Sequence, residues 1–258
     1  MYKHKLMKNQ LILNPRRLMR LVGNNLNFSP KSIGLVLLFG IGINLGAAWM
    51  SSMDSTPDPE FYLIWFGLSL FITGFLFSSF AFNNMSTDAG RQFYLSLPAS
   101  NLEKVLSKYL LTAIAFPLLA LVMFTIIATL SNLFFFQPKM IQIDGFDPFG
   151  TITWLLIKIY LVLHGIYLLG SVVYSKLAII KISLATFVFA GSIAGLTFLF
   201  IGSIFGFDFQ DGPPFEPTQS FKDFLEFRVW PTIQFLFWAV LPVLSAVLVF
   251  LKLKEKEL

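Results

Sequence analysis

Residues 109–136 read YLLTAIAFPLLALVMFTIIATLSNLFFF and contain no charged side chain. An α-helix of about 20 residues crosses the roughly 30 Å hydrocarbon core of a bilayer, so this run is long enough to span a membrane. Backbone groups in lipid must be hydrogen-bonded internally, and a run of this length achieves that as a helix. Pro117 predicts a kink within the helix.

Other charge-poor runs extend this pattern along nearly the whole chain. The six predicted membrane spans cover residues 33–50, 61–82, 109–136, 152–174, 182–205 and 230–251. Of the 258 residues, 56% are hydrophobic and only 13% are charged, whereas a water-soluble domain carries about 25% charged residues. The composition argues against a soluble globular enzyme and predicts an all-α polytopic membrane protein. Because the chain has no Cys, disulfides, thiolate metal sites and cysteine nucleophiles are excluded.

The charged residues divide unevenly between the two sides of this predicted bundle. One side holds 15 of the 19 Lys and Arg residues, and the other holds 10 of the 14 Asp and Glu residues. Cytoplasmic loops of membrane proteins are enriched in Lys and Arg. The charge distribution therefore predicts that both termini are cytoplasmic.

The first 30 residues are too polar for a span and lack the continuous apolar core of a cleaved signal peptide. Apolar residues alternate with Lys and Arg there, which predicts an in-plane amphipathic helix on the inner leaflet. The alternative is a basic tail that only sets orientation. Residues 1–30 thus form an N-terminal segment, and residues 31–258 form the six-span domain.

The loop between the second and third spans, residues 83–108, has an internal break. Ser100 and Glu103 have the spacing of a capping box, which predicts a helix that begins after Ser100 and runs into the third span. Pro98 prevents a preceding helix from continuing through this point. We call this predicted arrangement of a short helix, a break and a second helix the elbow.

The elbow resembles a segment of the membrane subunits of type 2 ABC transporters, the permeases of bacterial ABC exporters. The resemblance is carried by a Leu-Pro-x-Ser turn, a Glu and a Lys-Tyr-Leu entry to the third span. The matching positions are Arg91, Leu97, Pro98, Ser100, Glu103, Lys108 and Tyr109. The sequence departs from the family pattern at Asn101, where Arg is common, and at Ser107, where Gly often precedes the Lys.

This resemblance implies a coupling helix that docks on a separate ATP-hydrolysing subunit. The predicted contact residues are Asp88, Arg91, Leu97, Pro98, Ser100, Asn101, Glu103, Lys104 and Lys108. The implied partners are two ATPase copies, which carry ATP and Mg, and a second permease chain, identical or homologous, in a bacterial cytoplasmic (inner) membrane. The sequence contains no phosphate-binding loop, so no cofactor is expected on this chain. The alternative is that Ser100 and Glu103 only cap a helix and that the lysines mark a membrane boundary.

Polar residues within the predicted spans are candidates for a substrate path, because polar groups are costly in lipid. The candidates are Asn44, Thr73, Lys158 and His164. Lys158 lies near a predicted helix end, where its side chain can instead extend to the headgroups. His164 can instead form hydrogen bonds between helices.

The predicted external stretch before the last span, residues 206–229, contains six Phe residues. Ser220 and Asp223 are spaced to cap a short helix there. The segment is similar to the re-entrant external helices of type 2 exporters, and this similarity implies a lid or exit gate.

The resulting functional prediction is a transport subunit, not an enzyme, that exports a lipid-like or amphipathic substrate. No catalytic or metal-binding residue is predicted, and neither is a nucleic-acid partner. An intramembrane enzyme is the first alternative, although the chain has only His4 and His164 and no His-Glu-x-x-His motif. A membrane anchor for a soluble partner is the second.

Overall fold

The computed structural model describes residues 13–28, 30–53, 60–140, 145–174, 178–205 and 219–256. These residues form helices and connecting turns, and none of them lies in a strand. Five helical stretches are long and apolar enough to cross a membrane, namely Phe61–Met85, Asn101–Lys139, Thr151–Val173, Ala178–Leu199 and Lys222–Glu255. The predicted class of helical membrane protein is therefore confirmed for the described part of the chain.

The first predicted span falls within a helix that covers Pro30–Ser51. Within that helix, the apolar segment Leu38–Ser51 is shorter than the five candidate spans and is not counted among them. The count of six spans therefore stays a prediction, as does the placement of the termini. Residues 1–12 of the predicted amphipathic segment and residues 206–218 of the external stretch lie outside the described residues.

The helices are numbered here in chain order. They are α1 (Pro15–Phe28), α2 (Pro30–Ser51), α3 (Phe61–Ser79), α4 (Asp88–Ser96), α5 (Asn101–Tyr109), α6 (Phe116–Ser131), α7 (Thr151–Val173), α8 (Ala178–Phe205), α9 (Gln219–Phe224), α10 (Trp230–Phe235) and α11 (Leu241–Glu255). A π-helical turn, Leu110–Ala115, joins α5 to α6, so the helix that starts in the elbow continues directly into the third predicted span. Helix α7 is central and packs against α3, α8 and α11.

Every π-helical turn in the described residues ends two residues before a proline. These prolines are Pro117, Pro138, Pro231 and Pro242. A proline has no N–H and its ring clashes with the carbonyl four residues earlier, so the normal α-helical hydrogen bond is lost. The residue before each proline donates to the carbonyl five positions back, as Phe116 does to Leu111. The kink predicted at Pro117 thus takes the form of a local change in hydrogen-bond register.

The register change at Pro117 leaves the Thr112 carbonyl without an intrahelical donor, because the π-register partner would be the proline nitrogen. The Tyr160 hydroxyl on α7 donates to this carbonyl at 2.8 Å. Tyr160 is completely buried. A Cβ at Gly74 on α3 would lie 2.3 Å from the Tyr160 ring, so the absence of a side chain at Gly74 is what lets the ring reach α6.

An aromatic core joins α2, α3, α6 and α7, and it accounts for part of the high Phe content. Phe66 is completely buried, and its ring centroid lies 5.3 Å from that of Phe124 and 5.1 Å from that of Phe146. The Tyr62 hydroxyl donates to Asn132 Oδ1 at 2.6 Å. Such edge-on and tilted ring contacts favour one packing arrangement over alternatives of similar buried area.

A second core joins the elbow to the adjacent ends of α7 and α11. Its buried members are Phe82, Met85, Tyr94, Val105, Leu168, Val172, Val249 and Leu253. These residues come from the elbow and the segment just before it, and from α7 and α11. Their packing therefore holds the elbow against the helix bundle.

The segment before the last span differs from its prediction. Residues 219–255 are helical without interruption, through α9, α10, α11 and two π-helical turns. The prediction of a short helix separate from the last span is therefore wrong for these residues, because the turns ahead of Pro231 and Pro242 absorb the prolines without ending the helix.

Candidate functional site

Helix α4 of the elbow begins with a side-chain cap at Thr87. The Thr87 Oγ1 accepts a hydrogen bond from the Gly90 amide at 3.2 Å, which satisfies one of the free N–H groups at a helix start. A Cβ at Gly90 would lie 2.2 Å from the Asn84 carbonyl oxygen. Gly90 therefore permits the preceding 3-10 turn, Asn83–Met85, to fold closely against α4.

The capping box predicted at the start of α5 is present. The Ser100 Oγ accepts from the Glu103 amide at 3.1 Å, and Glu103 Oε2 accepts from the Ser100 amide at 2.9 Å. Leu97 has an extended backbone, as expected for the residue before Pro98. The predicted sequence of helix, break and helix is confirmed.

The second carboxylate oxygen of Glu103 makes a contact that the sequence did not predict. Glu103 Oε1 accepts from the Asn14 amide at 2.8 Å and lies 3.6 Å from Arg17 Nε. Glu103 is completely buried. It therefore joins the start of α1 to the elbow.

Two lysines of α5 lie against α4 with their side-chain nitrogens beside aromatic rings. Lys104 is 1% and Lys108 4% exposed. Lys104 Nζ donates to the Leu95 carbonyl at 2.8 Å, and Lys108 Nζ lies 5.6 Å from the Phe82 ring centroid and 5.7 Å from that of Tyr94. The two lysines therefore join α5 to α4 and to Phe82.

Tyr94 has both lysines beside its ring, since Lys104 Nζ also lies 6.0 Å from the ring centroid. Burial raises the pKa of the Tyr94 hydroxyl above its usual value. The hydroxyl remains neutral at physiological pH, so it places no negative charge beside the lysines.

The predicted ATPase-contact residues fall into three groups by exposure. Asp88, Arg91 and Pro98 are exposed, and the Arg91 Nη2 to Asp88 Oδ1 distance is 2.7 Å. Leu97 and Asn101 are half-buried. The remaining members are buried, namely Ser100, Glu103, Lys104 and Lys108. Among the predicted contact residues, the exposed group is the one that a partner can touch directly.

Two of the predicted substrate-path residues lie together. Asn44 and Thr73 line one cavity of about 50 Å³ between α2, α3 and α6. Asn44 Nδ2 donates to the Gly40 carbonyl at 2.7 Å, and Thr73 Oγ1 donates to the Ser69 carbonyl at 2.5 Å. A cavity of this volume accommodates a water molecule, and Asn44 Oδ1 is a buried acceptor that has no hydrogen-bond partner among the described residues.

The other two substrate-path candidates do not join this cavity. His164 is buried on α7, where Nδ1 lies 2.7 Å from the Leu161 carbonyl. Its ring is perpendicular to that of Tyr109, with centroids 5.3 Å apart, so His164 packs between helices. Lys158 is exposed on α7, and the alternative in which its side chain extends to the headgroups stays a prediction.

Sequence reasoning missed Asn14, Arg17, Tyr94 and Phe82. Asn14 precedes Pro15, and Asn followed by Pro is a common helix start. This signal locates the beginning of α1 but not its contact with Glu103, because the two residues are 89 positions apart.

No protein-family model, curated protein or solved structure matches this chain. The resemblance to type 2 ABC permeases therefore rests on the elbow motif and the predicted layout of spans.

Proposed function

We propose that this chain is the permease subunit of an ATP-driven ABC transporter of the inner membrane, an exporter of a lipid-like or amphipathic substrate. The observation that carries the proposal is the construction of the elbow. Its second helix, α5, continues through a π-helical turn into an apolar helix long enough to cross a membrane. A displacement of the elbow is therefore transmitted along the same helix.

A coupling element must be stiff, because a flexible loop would absorb the motion of its partner. Lys104 ties α5 to the last turn of α4, and Lys108 packs against Phe82 and Tyr94. Glu103 ties α5 to α1. These contacts support a lever that moves as one body between two states, which is the usual requirement of a nucleotide-driven switch.

In this proposal, the rest of the transporter is formed by partner chains. Two permease chains enclose the path, and two ATPase subunits supply ATP and Mg chemistry on the cytoplasmic side. Asp88, Arg91 and Pro98 are the residues of the elbow proposed to contact the ATPase, since they are exposed. Asn44 and Thr73 are the proposed polar residues of the path.

The direct test is co-purification of the chain from native membranes with an ATPase subunit, followed by measurement of permease-stimulated ATP hydrolysis. Arg91→Glu is expected to lower both complex recovery and stimulated hydrolysis at least several-fold, because it reverses an exposed charge at the proposed contact. Arg228→Glu is the matched control, since Arg228 is also exposed and lies on the predicted external side.

Equal behaviour of the two variants would contradict the proposal. Loss of recovery by Arg91→Glu with no stimulation of hydrolysis in the unaltered complex would favour a membrane anchor instead. Glu103 is unsuitable for this test, because its replacement would disturb the contact with α1.

A further inference from the structure

Two neighbouring cavities lie between α1 and part of the elbow. The larger has a volume of about 710 Å³ and lies between Arg17 and Arg20 on one side and Leu97 on the other. The smaller, of about 250 Å³, shares Leu21, Asn24 and Leu97 with it. The two cavities adjoin at these shared residues, and we call them together the α1 groove.

One end of the α1 groove is cationic. Arg17 and Arg20 are three residues apart and therefore lie on the same face of α1. The residues that line the larger cavity include no carboxylate. Arg17 is partly balanced by Glu103, at 3.6 Å, whereas Arg20 adds a further positive charge at the exposed edge. This end of the groove attracts an anionic group.

The rest of the α1 groove is largely apolar, with Leu21, Leu97 and Phe93 among its lining residues. Tyr94 lines the smaller cavity, and its buried hydroxyl has no hydrogen-bond partner among the described residues. A ligand that combines an anionic group, an ester or hydroxyl oxygen and an apolar chain would satisfy all three features. The volume of the larger cavity is also within the usual range of ligand sites, about 300–1,000 Å³.

The position of the groove selects a membrane lipid over a soluble anion. Helix α1 packs against α5, which continues into a membrane-spanning helix. Met19 on α1 is 70% exposed, as is typical of a basic helix that lies at a lipid interface. Basic pockets at the cytoplasmic ends of membrane helices bind anionic headgroups.

We propose that the α1 groove binds an anionic glycerophospholipid, with its phosphate at Arg17 and Arg20 and an acyl chain along Leu21 and Leu97. The bound lipid would fill the space between α1 and the elbow and so hold the two together with Glu103. This inference rests on the predicted cytoplasmic position of the elbow and does not require the ATPase.

Gly23 offers a way to close the groove without disturbing the fold. It lines the larger cavity, and a Cβ at this position would meet no atom within 4 Å. Gly23→Leu should therefore fill the space without a clash and should also favour the helix. Gly34→Leu is the matched control, because Gly34 is a helical glycine with equally open surroundings that does not line the groove.

The experiment is native mass spectrometry of the full chain in detergent with phosphatidylglycerol and phosphatidylcholine offered at equal concentration. We expect preferential retention of phosphatidylglycerol, its loss in Gly23→Leu, and retention in Gly34→Leu. Arg20→Gln should weaken the preference roughly five-fold, since one arginine near an anionic lipid contributes about that factor. Arg16→Gln is the control for charge alone, because Arg16 is exposed on α1 but does not line the groove.

Equal retention of the two lipids, or retention of phosphatidylglycerol by Gly23→Leu, would overturn the proposal. Competition by inorganic phosphate alone, without an effect of Gly23→Leu, would indicate a soluble anion and also overturn it. If Gly23→Leu instead abolishes ATPase recovery while lipid retention is unchanged, the groove is a protein-docking surface. Failure of ATPase coupling with intact lipid selectivity would count only against the proposed transport function.

Discussion

The carboxylate of Glu103 and the backbone amide of Asn14 form a 2.8 Å hydrogen bond across 89 positions of sequence. The same side chain caps α5 through the Ser100 amide. One residue therefore both starts the helix that enters the membrane and attaches the N-terminal helix to it.

Replacement of Glu103 tests this double role. We expect Glu103→Ala to lower the free energy of unfolding by about 3 kcal/mol, because it removes a cap and leaves the buried Ser100 amide and the partly buried Asn14 amide unpaired. Glu103→Gln should cost less, about 2 kcal/mol, since its single amide oxygen can still cap α5 but its NH2 group would face the Asn14 amide as a second donor and carries no charge for Arg17. Thermal unfolding in detergent and proteolysis at residues 13–28 provide the measurement. Glu255→Ala is the control, because Glu255 only pairs with Lys252 on the surface, and an equal effect there would contradict the assignment.

Tyr160→Phe tests the hydrogen bond that compensates for Pro117. The ring would be retained, but the Thr112 carbonyl would lose its donor. Interhelical hydrogen bonds in membrane proteins contribute about 0.6 kcal/mol on average and up to about 1.7 kcal/mol. We expect a loss near the upper value, because Tyr160 is completely buried.

The control is Tyr174→Phe, the same chemical change on an exposed ring. Unfolding curves should show a lower stability for Tyr160→Phe than for Tyr174→Phe. If Tyr160→Phe unfolds like the unaltered chain, the Thr112 carbonyl does not depend on the Tyr160 hydroxyl.

Helices α7 and α11 lie close together at Gly165, where a Cβ would lie 2.2 Å from Ser245 Oγ. Ser245 Oγ is held by a 2.9 Å hydrogen bond to the Pro242 carbonyl, so it cannot move without breaking that bond. Gly165→Ala should destabilise the chain by about 1–3 kcal/mol through overpacking. Ser245→Gly in the same chain should restore part of the loss, and the double-mutant cycle measures this coupling.

Gly191→Ala provides the comparison on a helix, α8, where a Cβ meets no atom within 4 Å. It should be neutral or stabilising by up to about 1 kcal/mol, as expected from helix propensity. Additive effects of Gly165→Ala and Ser245→Gly would rule out the predicted contact.

Lys139 joins the end of the third predicted span to the end of α2. Its Nζ donates to the Ser52 carbonyl at 2.7 Å and to Ser52 Oγ at 3.1 Å. Lys139→Met should leave the aliphatic stem in place and release the last turn of α2, so that amide exchange at residues 49–53 becomes faster. Lys222→Met is the control on the predicted external side, and unchanged exchange in Lys139→Met would show that Ser52 is held by other contacts.

The sequence predicted the local features of the fold well, for a physical reason. Long apolar runs must be helical in lipid, and the Ser100 and Glu103 capping box depends on residues only three apart. Both predictions are confirmed. The prediction of a short external helix apart from the last span is wrong, because the π-helical turns ahead of Pro231 and Pro242 keep the helix continuous.

The features that sequence reasoning missed depend on tertiary contacts. Nothing near Glu103 indicates that it faces Asn14, and nothing near Lys104 and Lys108 indicates burial against Tyr94. Their charge suggested exposure, since Lys and Glu are rarely buried unless paired. Glu103, Lys104 and Lys108 each have contacts within or beside the elbow. They therefore lie in its interior, although their charge suggested a surface that binds a partner.

The four prolines that follow π-helical turns also change how the helices should be aligned with other sequences. A π turn accommodates one residue more than an α turn, so side chains beyond it are rotated by about 100° around the helix axis. Residues 219–255 contain two such turns. A hydrophobic stripe traced through that stretch with a constant helical period would end on the wrong face, and a homologue that lacks Pro231 or Pro242 should need a single-residue deletion nearby to keep the same residues facing α7.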